Sequence, residues 1–212
     1  MEIIKLHPEI AAEIRGVSMA NVANDDNAYR AVRAAFEEHS VLLFRNQPID
    51  DQVQVSYSAK FGPLETAKVA SLGEGTPFSI LTNIEGDSGN LVPQGHKEEL
   101  RAKANQLWHT DSSFRATPAL ASVLSARTIP GSGGETEFVS QRATWQRLPA
   151  SLRARLADSY AWHSMWDNRA SMHRGRPWPL DKPRYMIRTT IAATDADGVA
   201  ALRPPPTPRK AA

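Results

Sequence analysis

The sequence of 212 residues contains no cysteine. Disulfide bonds and thiolate metal sites are therefore impossible, and a metal ion could be held only by histidine, carboxylate or water ligands. This absence excludes the thiol-based redox and zinc-ribbon classes. It also directs attention to the six histidines and 23 acidic residues as the candidate ligands.

The chain also lacks a strong charge of one sign and a long apolar run. It has 25 basic and 23 acidic residues with no extended basic stretch, so nucleic acid is not an expected partner. No segment reaches the length of a membrane span, and the opening residues lack a signal-peptide pattern. We therefore expect a cytoplasmic protein.

What is present indicates an ordinary folded domain. Hydrophobic residues make up 41% of the chain, and this length suits one domain with a possible appendage. Helical spacing and caps predict helices at 25–40, where Asp25 or Asp26 is the cap, at 48–62, capped by Asp50, and at 142–162, broken at Pro149. Predicted strands lie at 2–18 (one or two), 41–46, 78–84, 119–130, within 131–140 after a glycine turn, and at 184–193. This order favours a mainly β antiparallel sandwich or barrel with flanking helices, and residues 85–104 form a long, weakly helical loop.

Two of the histidines stand out from the rest. His7, His39, His96 and His163 are interpreted as structural or surface residues. His109 and Asp111 are two residues apart, so on a strand both side chains would point to one face and could reach one ion. The alternative is a half-buried histidine beside a capping aspartate.

His173 would complete a set of two imidazoles and one carboxylate. This set is typical of non-haem Fe(II) oxygenases, in which three coordination positions stay open for a 2-oxo acid and dioxygen. A zinc hydrolase could use the same three ligands and is the rival interpretation.

A 2-oxo acid co-substrate would need a cation for its second carboxylate. Arg184 and Arg188 are four residues apart on the last predicted strand, so both could face the same side. A guanidinium binds a carboxylate through two parallel hydrogen bonds, which suits this role. The alternative is a pair of surface arginines on a solvent-facing strand.

Several ordered motifs resemble one known family. They are "NQLWHTDSSF" (105–114), "GGETEF" (133–138), "MWDNRASMHRGRPW" (165–178) and "RYMIRTTI" (184–191), with "SVLLFRNQPI" and "KFGPLE" earlier in the chain. Together they are similar to the TauD/TfdA family of Fe(II)- and 2-oxoglutarate-dependent dioxygenases, most of all to its 2,4-dichlorophenoxyacetate dioxygenase branch. The resemblance covers most of the chain and implies a double-stranded β-helix (jelly-roll) core.

The resemblance also implies a role for each candidate residue. His109, Asp111 and His173 match the iron ligands. Thr136 and Arg184 match the residues that bind 2-oxoglutarate. Asn105 and Arg188 match substrate-pocket positions, and Trp166 and Asn168 belong to the motif as packing residues behind the ligands.

The activity implied by the resemblance is the hydroxylation of a small anionic organic substrate, of the aryloxyalkanoate or alkylsulfonate type. Fe(II), 2-oxoglutarate and dioxygen would be required, ascorbate would stimulate, and 2-oxoglutarate would be decarboxylated to succinate. Relatives imply a homo-oligomer.

The chain departs from the family in one interval. Asp111 and His173 are 62 positions apart, which is shorter than in the family, and a block of strands is missing between about Ser164 and Met165. We expect a shortened jelly-roll domain at 1–193 and a disordered, proline-rich tail at 194–212. The alternative function is an inactive relative that binds metal or an acidic metabolite, or that serves as an interaction module.

Overall fold

A computed structural model describes residues 1–67, 71–86, 89–93, 95–115, 117–157 and 168–198. The strands are β1 (Glu2–Lys5), β2 (Ala12–Arg15), β3 (Leu42–Leu43), β4 (Phe78–Thr82), β5 (Ala119–Thr128), β6 (Thr136–Ser140), β7 (Ser171–Gly175) and β8 (Tyr185–Ala192). The helices are α1 (Met19–Asn24), α2 (Asp26–His39), α3 (Asp51–Phe61), α4 (Lys97–Ala104), α5 (Gln141–Arg147) and α6 (Ala150–Ala157), and a short 3-10 helix covers Asp195–Asp197. None of the helices in these ranges is long and apolar enough to cross a membrane.

The two long N-terminal helices begin where their capping aspartates predict. Asp25 accepts hydrogen bonds from the backbone N–H groups of Asn27 and Ala28, so α2 begins at the next residue. Asp50 accepts from the N–H of Val53 at the start of α3. Pro149 separates α5 from α6, as predicted for the break in the 142–162 segment.

The strands form three small sheets. β1, β2 and β3 form the first, in which β2 and β3 are parallel. β8 lies between β4 and β5 in the second, and β6 pairs with β7 in the third, all antiparallel. Within the residues described above, these sheets do not close into a complete barrel.

The main apolar core lies between the first three helices and the β8 sheet. Its buried members are Ile14, Met19, Val22, Val32, Ala35, Phe36, Tyr57, Phe61, Leu120, Ala121, Ile191 and Ala193. Gln54 of α3 is fully buried here, and its amide donates to the backbone oxygens of Val123 and Ile187. The core therefore fixes helix α3 against β5 and β8, the two strands that lie beneath the site described below.

Three sequence predictions need correction or comment. The buried strand predicted at 41–46 is only the two-residue β3, half-buried, because just two of its residues pair with β2 and Asn46 has a left-handed φ of 53°. The long loop at 85–104 ends in the regular helix α4. Residues 194–198, inside the predicted tail, form an ordered turn in which Asp197 pairs with Arg33.

Several predictions fall on residues that the structure does not describe. These are the proposed junction near Ser164 and Met165, the histidine at 163, the Trp166 position and the tail from residue 199 onwards. The division into a 1–193 domain and a tail therefore stays a prediction.

Candidate metal centre and cavity

The three predicted ligands lie together. His109, Asp111 and His173 each offer one ligand atom, and these atoms all lie within 4.8 Å of one another. His109 and Asp111 come from the irregular segment between α4 and β5, whereas His173 is the middle residue of β7.

Backbone pairing brings the two histidines together. The N–H of each donates to the carbonyl oxygen of the other at 3.0 Å, which makes an isolated antiparallel bridge. Their ring centroids are 4.1 Å apart. His109 and Asp111 do not lie on a regular strand, because the bridge is a single residue pair and the chain turns at Asp111.

Both imidazoles are oriented by backbone carbonyls. Nδ1 of His109 lies 2.7 Å from the oxygen of Leu107, and Nδ1 of His173 lies 3.1 Å from the oxygen of His109. A carbonyl oxygen can only accept, so Nδ1 carries the proton and the lone pair lies on Nε2 in each neutral ring. This is the usual way in which a protein orients histidines that bind metal.

Burial keeps His173 neutral. It lowers the pKa of His173 to about 3, against the opposing attraction of Asp111, and the nearby His109 and Arg188 lower it further. The ring is therefore unprotonated at neutral pH, as a metal ligand must be.

Asp111 is buried and held from three directions. Ser122 of β5 donates to Oδ2 at 2.6 Å, and Arg188 of β8 donates to Oδ1 at 2.6 Å. The backbone N–H of Asp111 donates to the side-chain oxygen of Asn168, itself fully buried, at 3.3 Å. The capping-aspartate alternative does not hold, since this carboxylate binds a guanidinium and a hydroxyl instead of a helix N-terminus.

Two imidazoles and one carboxylate within reach of one another fit a divalent metal. This donor set is that of the non-haem iron site and also of some catalytic zinc sites. The ligands alone therefore do not decide between these two ions, and the surrounding cavity has to be considered.

One cavity joins two of the candidate metal ligands to the other predicted site residues. Its lining includes Asn105, His109, Thr136, His173, Arg184 and Arg188. The sequence analysis named all six of these, and the structure brings them to one place. Asp111 is connected to the cavity through its ion pair with Arg188.

Arg184 is the most unusual cation of this cavity. Its side chain is largely buried, which lowers its pKa, and its guanidinium lies 4.8 Å from the centroid of the Trp178 ring. It donates to the carbonyl oxygen of Gly134 at 3.2 Å, but no carboxylate in the described part of the chain pairs with it. A Cβ at Gly134 would come 3.1 Å from Nε of Arg184, so glycine leaves the room for this side chain.

Sequence reasoning missed one side of the cavity. Glu98, Arg101 and Ala102 of α4 line it with Asn105, and Glu98 is a buried carboxylate paired with Arg101. These positions follow helical i, i+3, i+4 and i+7 spacing, a signal that was present within the segment treated as a loop. Ser122, the hydroxyl donor to Asp111, carried no sequence signal at all.

The other described histidines are placed as structural residues. Nδ1 of His7 accepts the N–H of Glu9, and His96 is the N-cap of α4. His39 is buried at the end of α2.

Comparison with known proteins places the chain in a family. A model of the family described as "Taurine catabolism dioxygenase TauD, TfdA family" matches residues 2–165. The chain belongs to this family, and the resemblance inferred from its motifs is confirmed.

Curated relatives share this membership. The alpha-ketoglutarate-dependent 2,4-dichlorophenoxyacetate dioxygenase of Cupriavidus pinatubonensis is 34% identical over 191 residues, which cover 82% of this chain and 66% of that protein. The alpha-ketoglutarate-dependent sulfate ester dioxygenase of Pseudomonas putida is 30% identical over 197 residues, covering 91% and 60%. The (S)-phenoxypropionate/alpha-ketoglutarate-dioxygenase of Sphingobium herbicidovorans is 29% identical, covering 77% and 53%. The chain thus spans between about half and two thirds of the length of these relatives.

Solved structures confirm the fold. AAD-2, crystallised with Mn(II) and N-oxalylglycine, superposes with a TM-score of 0.79 at 23% identity, covering 91% of this chain and 98% of that one. A taurine dioxygenase from Burkholderia xenovorans superposes with a TM-score of 0.69 at 20% identity, covering 91% of each. The predicted jelly-roll oxygenase fold with flanking helices is therefore correct.

Proposed function

We propose that this protein is an Fe(II)- and 2-oxoglutarate-dependent dioxygenase that hydroxylates a small anionic organic substrate. One observation supports this most directly: the His109, Asp111 and His173 cluster lies beside a cavity that also holds Arg184, a buried guanidinium without a carboxylate partner in the described residues. A zinc hydrolase would use the cluster but would leave this buried cation without a purpose.

The metal ligands of this proposal are His109, Asp111 and His173. Their Nε2 atoms and the Asp111 carboxylate would hold Fe(II), and the carboxylate would offset part of its charge. When bound, the iron would offer open coordination positions for the 2-oxo acid and dioxygen and would supply the oxidising power. The protein's contribution is to keep the His173 imidazole neutral and all three ligands oriented.

Arg184 and Thr136 would hold the far end of 2-oxoglutarate. A dicarboxylate that reaches Arg184 would give the buried guanidinium the anion that the protein does not supply. Thr136 begins β6 and lines the same cavity, where its hydroxyl can donate to that carboxylate. This pairing explains why burial of a charged side chain is tolerated there.

Asn105 and Arg188 would face the primary substrate. Arg188 already donates one N–H to Asp111, and its buried Nε has no partner among the described residues, so donor capacity remains for a substrate anion. Relatives named for aryloxyalkanoates and for sulfate esters support a small anionic substrate of either type. Homo-oligomer formation, a cytoplasmic location and stimulation by ascorbate stay predictions.

An anaerobic titration with Fe(II) and then 2-oxoglutarate tests the proposal. We expect a visible iron-to-keto-acid charge-transfer band that needs both additions and disappears in His109→Ala. His7→Ala is the matched control, since its exposed ring is bound only to its own turn, and it should keep the band.

Three other results would change the conclusion. A folded protein without the band would overturn the assignment of the iron site. A band without oxygen-dependent succinate release, across aryloxyalkanoates and alkylsulfonates, would favour the inactive relative. Metal-dependent but oxygen-independent hydrolysis would favour the zinc enzyme.

A further inference from the structure

The residue that follows Asp111 has a costly backbone conformation. Ser112 has φ of 53°, in the left-handed region that residues other than glycine rarely adopt. Its carbonyl oxygen accepts the N–H of Arg115 at 3.0 Å, which closes a tight turn directly after the metal ligand. Such a conformation persists only where neighbouring groups hold it.

Glu65 is the neighbour that holds this turn. The hydroxyl of Ser112 donates to Oε2 of Glu65 at 2.7 Å, and Nε of Arg115 lies 3.3 Å from the same oxygen. The Glu65 side chain is only 9% exposed, so both interactions are shielded from water. One carboxylate therefore contacts both ends of the turn.

Glu65 is itself fixed to β8. Its backbone N–H donates to the oxygen of Thr190 at 2.8 Å, and Leu64 bridges Ile191. Thr190 lies two residues beyond Arg188, which donates to Asp111. The segment around Glu65 thus joins the strand that carries Arg188 to the turn that carries Asp111.

We propose that Glu65 is a positioning residue for the metal centre, acting through Ser112 and Arg115 to fix the direction of the Asp111 carboxylate. The inference rests on the proposed function, because it presumes that Asp111 binds the metal. Without Glu65, the turn can relax towards ordinary φ values, and the direction in which the Asp111 carboxylate points at the metal is no longer fixed. Outer groups of this kind commonly change metal affinity 10- to 100-fold.

Titration with Co(II), followed by visible absorption, measures this effect without turnover. We expect Glu65→Ala to weaken Co(II) binding by about 10- to 100-fold and to change the absorption spectrum of the bound ion. Glu65→Gln keeps an acceptor for Ser112 but removes the charge that faces Arg115, so its Co(II) affinity should fall less than that of Glu65→Ala.

Two substitutions at Ser112 separate positioning from general stability. Ser112→Ala removes the hydroxyl and keeps the strain, so we expect weaker Co(II) binding. Ser112→Gly also removes the hydroxyl but adopts positive φ freely, so it should bind Co(II) more tightly than Ser112→Ala. Equal affinity in the two variants would overturn the inference.

Glu13→Ala is the matched control. Glu13 is also a shielded carboxylate between two arginines, Arg15 and Arg45, but it lies on β2, away from the cavity. Its loss should leave Co(II) affinity unchanged. If wild type binds Co(II) and Glu65→Ala binds it equally well, only this inference fails. If the wild type binds no Co(II), both the proposed function and this inference are wrong.

Discussion

The two faces of β8 differ in what they bury. On one face Ile191 packs in the apolar core, and the hydroxyl of Thr189 lies 2.7 Å from that of Ser58 on α3. On the other face Arg188 reaches Asp111, and Arg184, just before the strand, lines the cavity. Alternate residues of a strand point to opposite faces, so one strand serves the core and the site together.

The difference lies in how polar groups are satisfied. On the core face Thr189 and Gln54 find hydrogen-bond partners inside the protein. On the site face the buried Arg184 guanidinium hydrogen-bonds a carbonyl oxygen and lies over the Trp178 ring, and no carboxylate of the described residues pairs with it. Because burying a charge without a counter-charge is costly, an anionic ligand at Arg184 would stabilise the site face.

Truncation on the core face should have the largest effect on stability. We expect Ile191→Ala to lower the free energy of unfolding by about 2–5 kcal/mol, since it leaves a cavity at a fully buried position. Urea denaturation with and without Co(II) should show the same loss in both conditions. Ile129→Ala, at a largely exposed isoleucine, is the control and should cost little. If Co(II) restored the stability that Ile191→Ala loses, the core face and the site face of β8 would not be energetically separate.

Substitution on the site face should depend on metal instead. Arg188→Met leaves the buried Asp111 carboxylate without its guanidinium, which should lower the stability of the metal-free protein by about 1–3 kcal/mol. Added Co(II) should recover most of this loss, because the ion replaces the missing positive charge. The same urea experiment measures it, and a loss of equal size with and without Co(II) would show that Asp111 does not face the ion.

The smallest effect is expected away from both faces, in an ion-pair network on α2. Glu37 binds Arg33 and Arg169, and Arg33 also binds Asp197 beyond the end of β8. Burial raises the pKa of Glu37, but the hydrogen bonds and charges of Arg169 and Arg33 outweigh it and hold this pKa below its ordinary value.

Because the pKa of Glu37 is lower in the folded protein than in the unfolded chain, its ion pairs stabilise the fold fully at pH values above the unfolded pKa of about 4.5. This stabilisation is lost as the pH falls through the folded pKa. Glu37→Gln should therefore cost under about 1 kcal/mol at pH 7, because the carboxylate is partly exposed, and nothing at low pH. Thermal unfolding measured between pH 7 and pH 3 tests this, with the more exposed Glu38→Gln as control. If the stability difference between wild type and Glu37→Gln grew as the pH fell, the pKa of Glu37 would be raised by folding and not lowered.

Local features of the fold were predictable where the cause is local. The caps Asp25 and Asp50, the break at Pro149 and the long β-branched strand β8 all follow from residues within a few positions of each other. The prediction of a buried strand at 41–46 was wrong. An apolar run does not show how many of its residues will pair with a neighbouring strand, and only two of them pair with β2.

The site was predictable in its members but not in its arrangement. Histidine and carboxylate spacing, together with family motifs, identified the three residues that cluster and six of the residues that line the cavity. The role of Ser122 and the contacts of Glu65 were not predictable, because each joins segments far apart in the chain. Helical spacing in α4 could have placed Glu98 and Arg101 beside Asn105, had the segment been taken as a helix.

The sequence by itself determined the chemistry available to this protein: no thiolate ligands, a histidine and an aspartate two residues apart with a second histidine further on, and two arginines that could bind an anion. Only the tertiary structure decided how these groups meet. The backbone bridge between His109 and His173 brings the two imidazoles together, and β8 brings Arg188 to Asp111. The physical reason is that side-chain chemistry is carried by each residue, whereas distances between remote residues are set by backbone pairing and core packing across the whole chain.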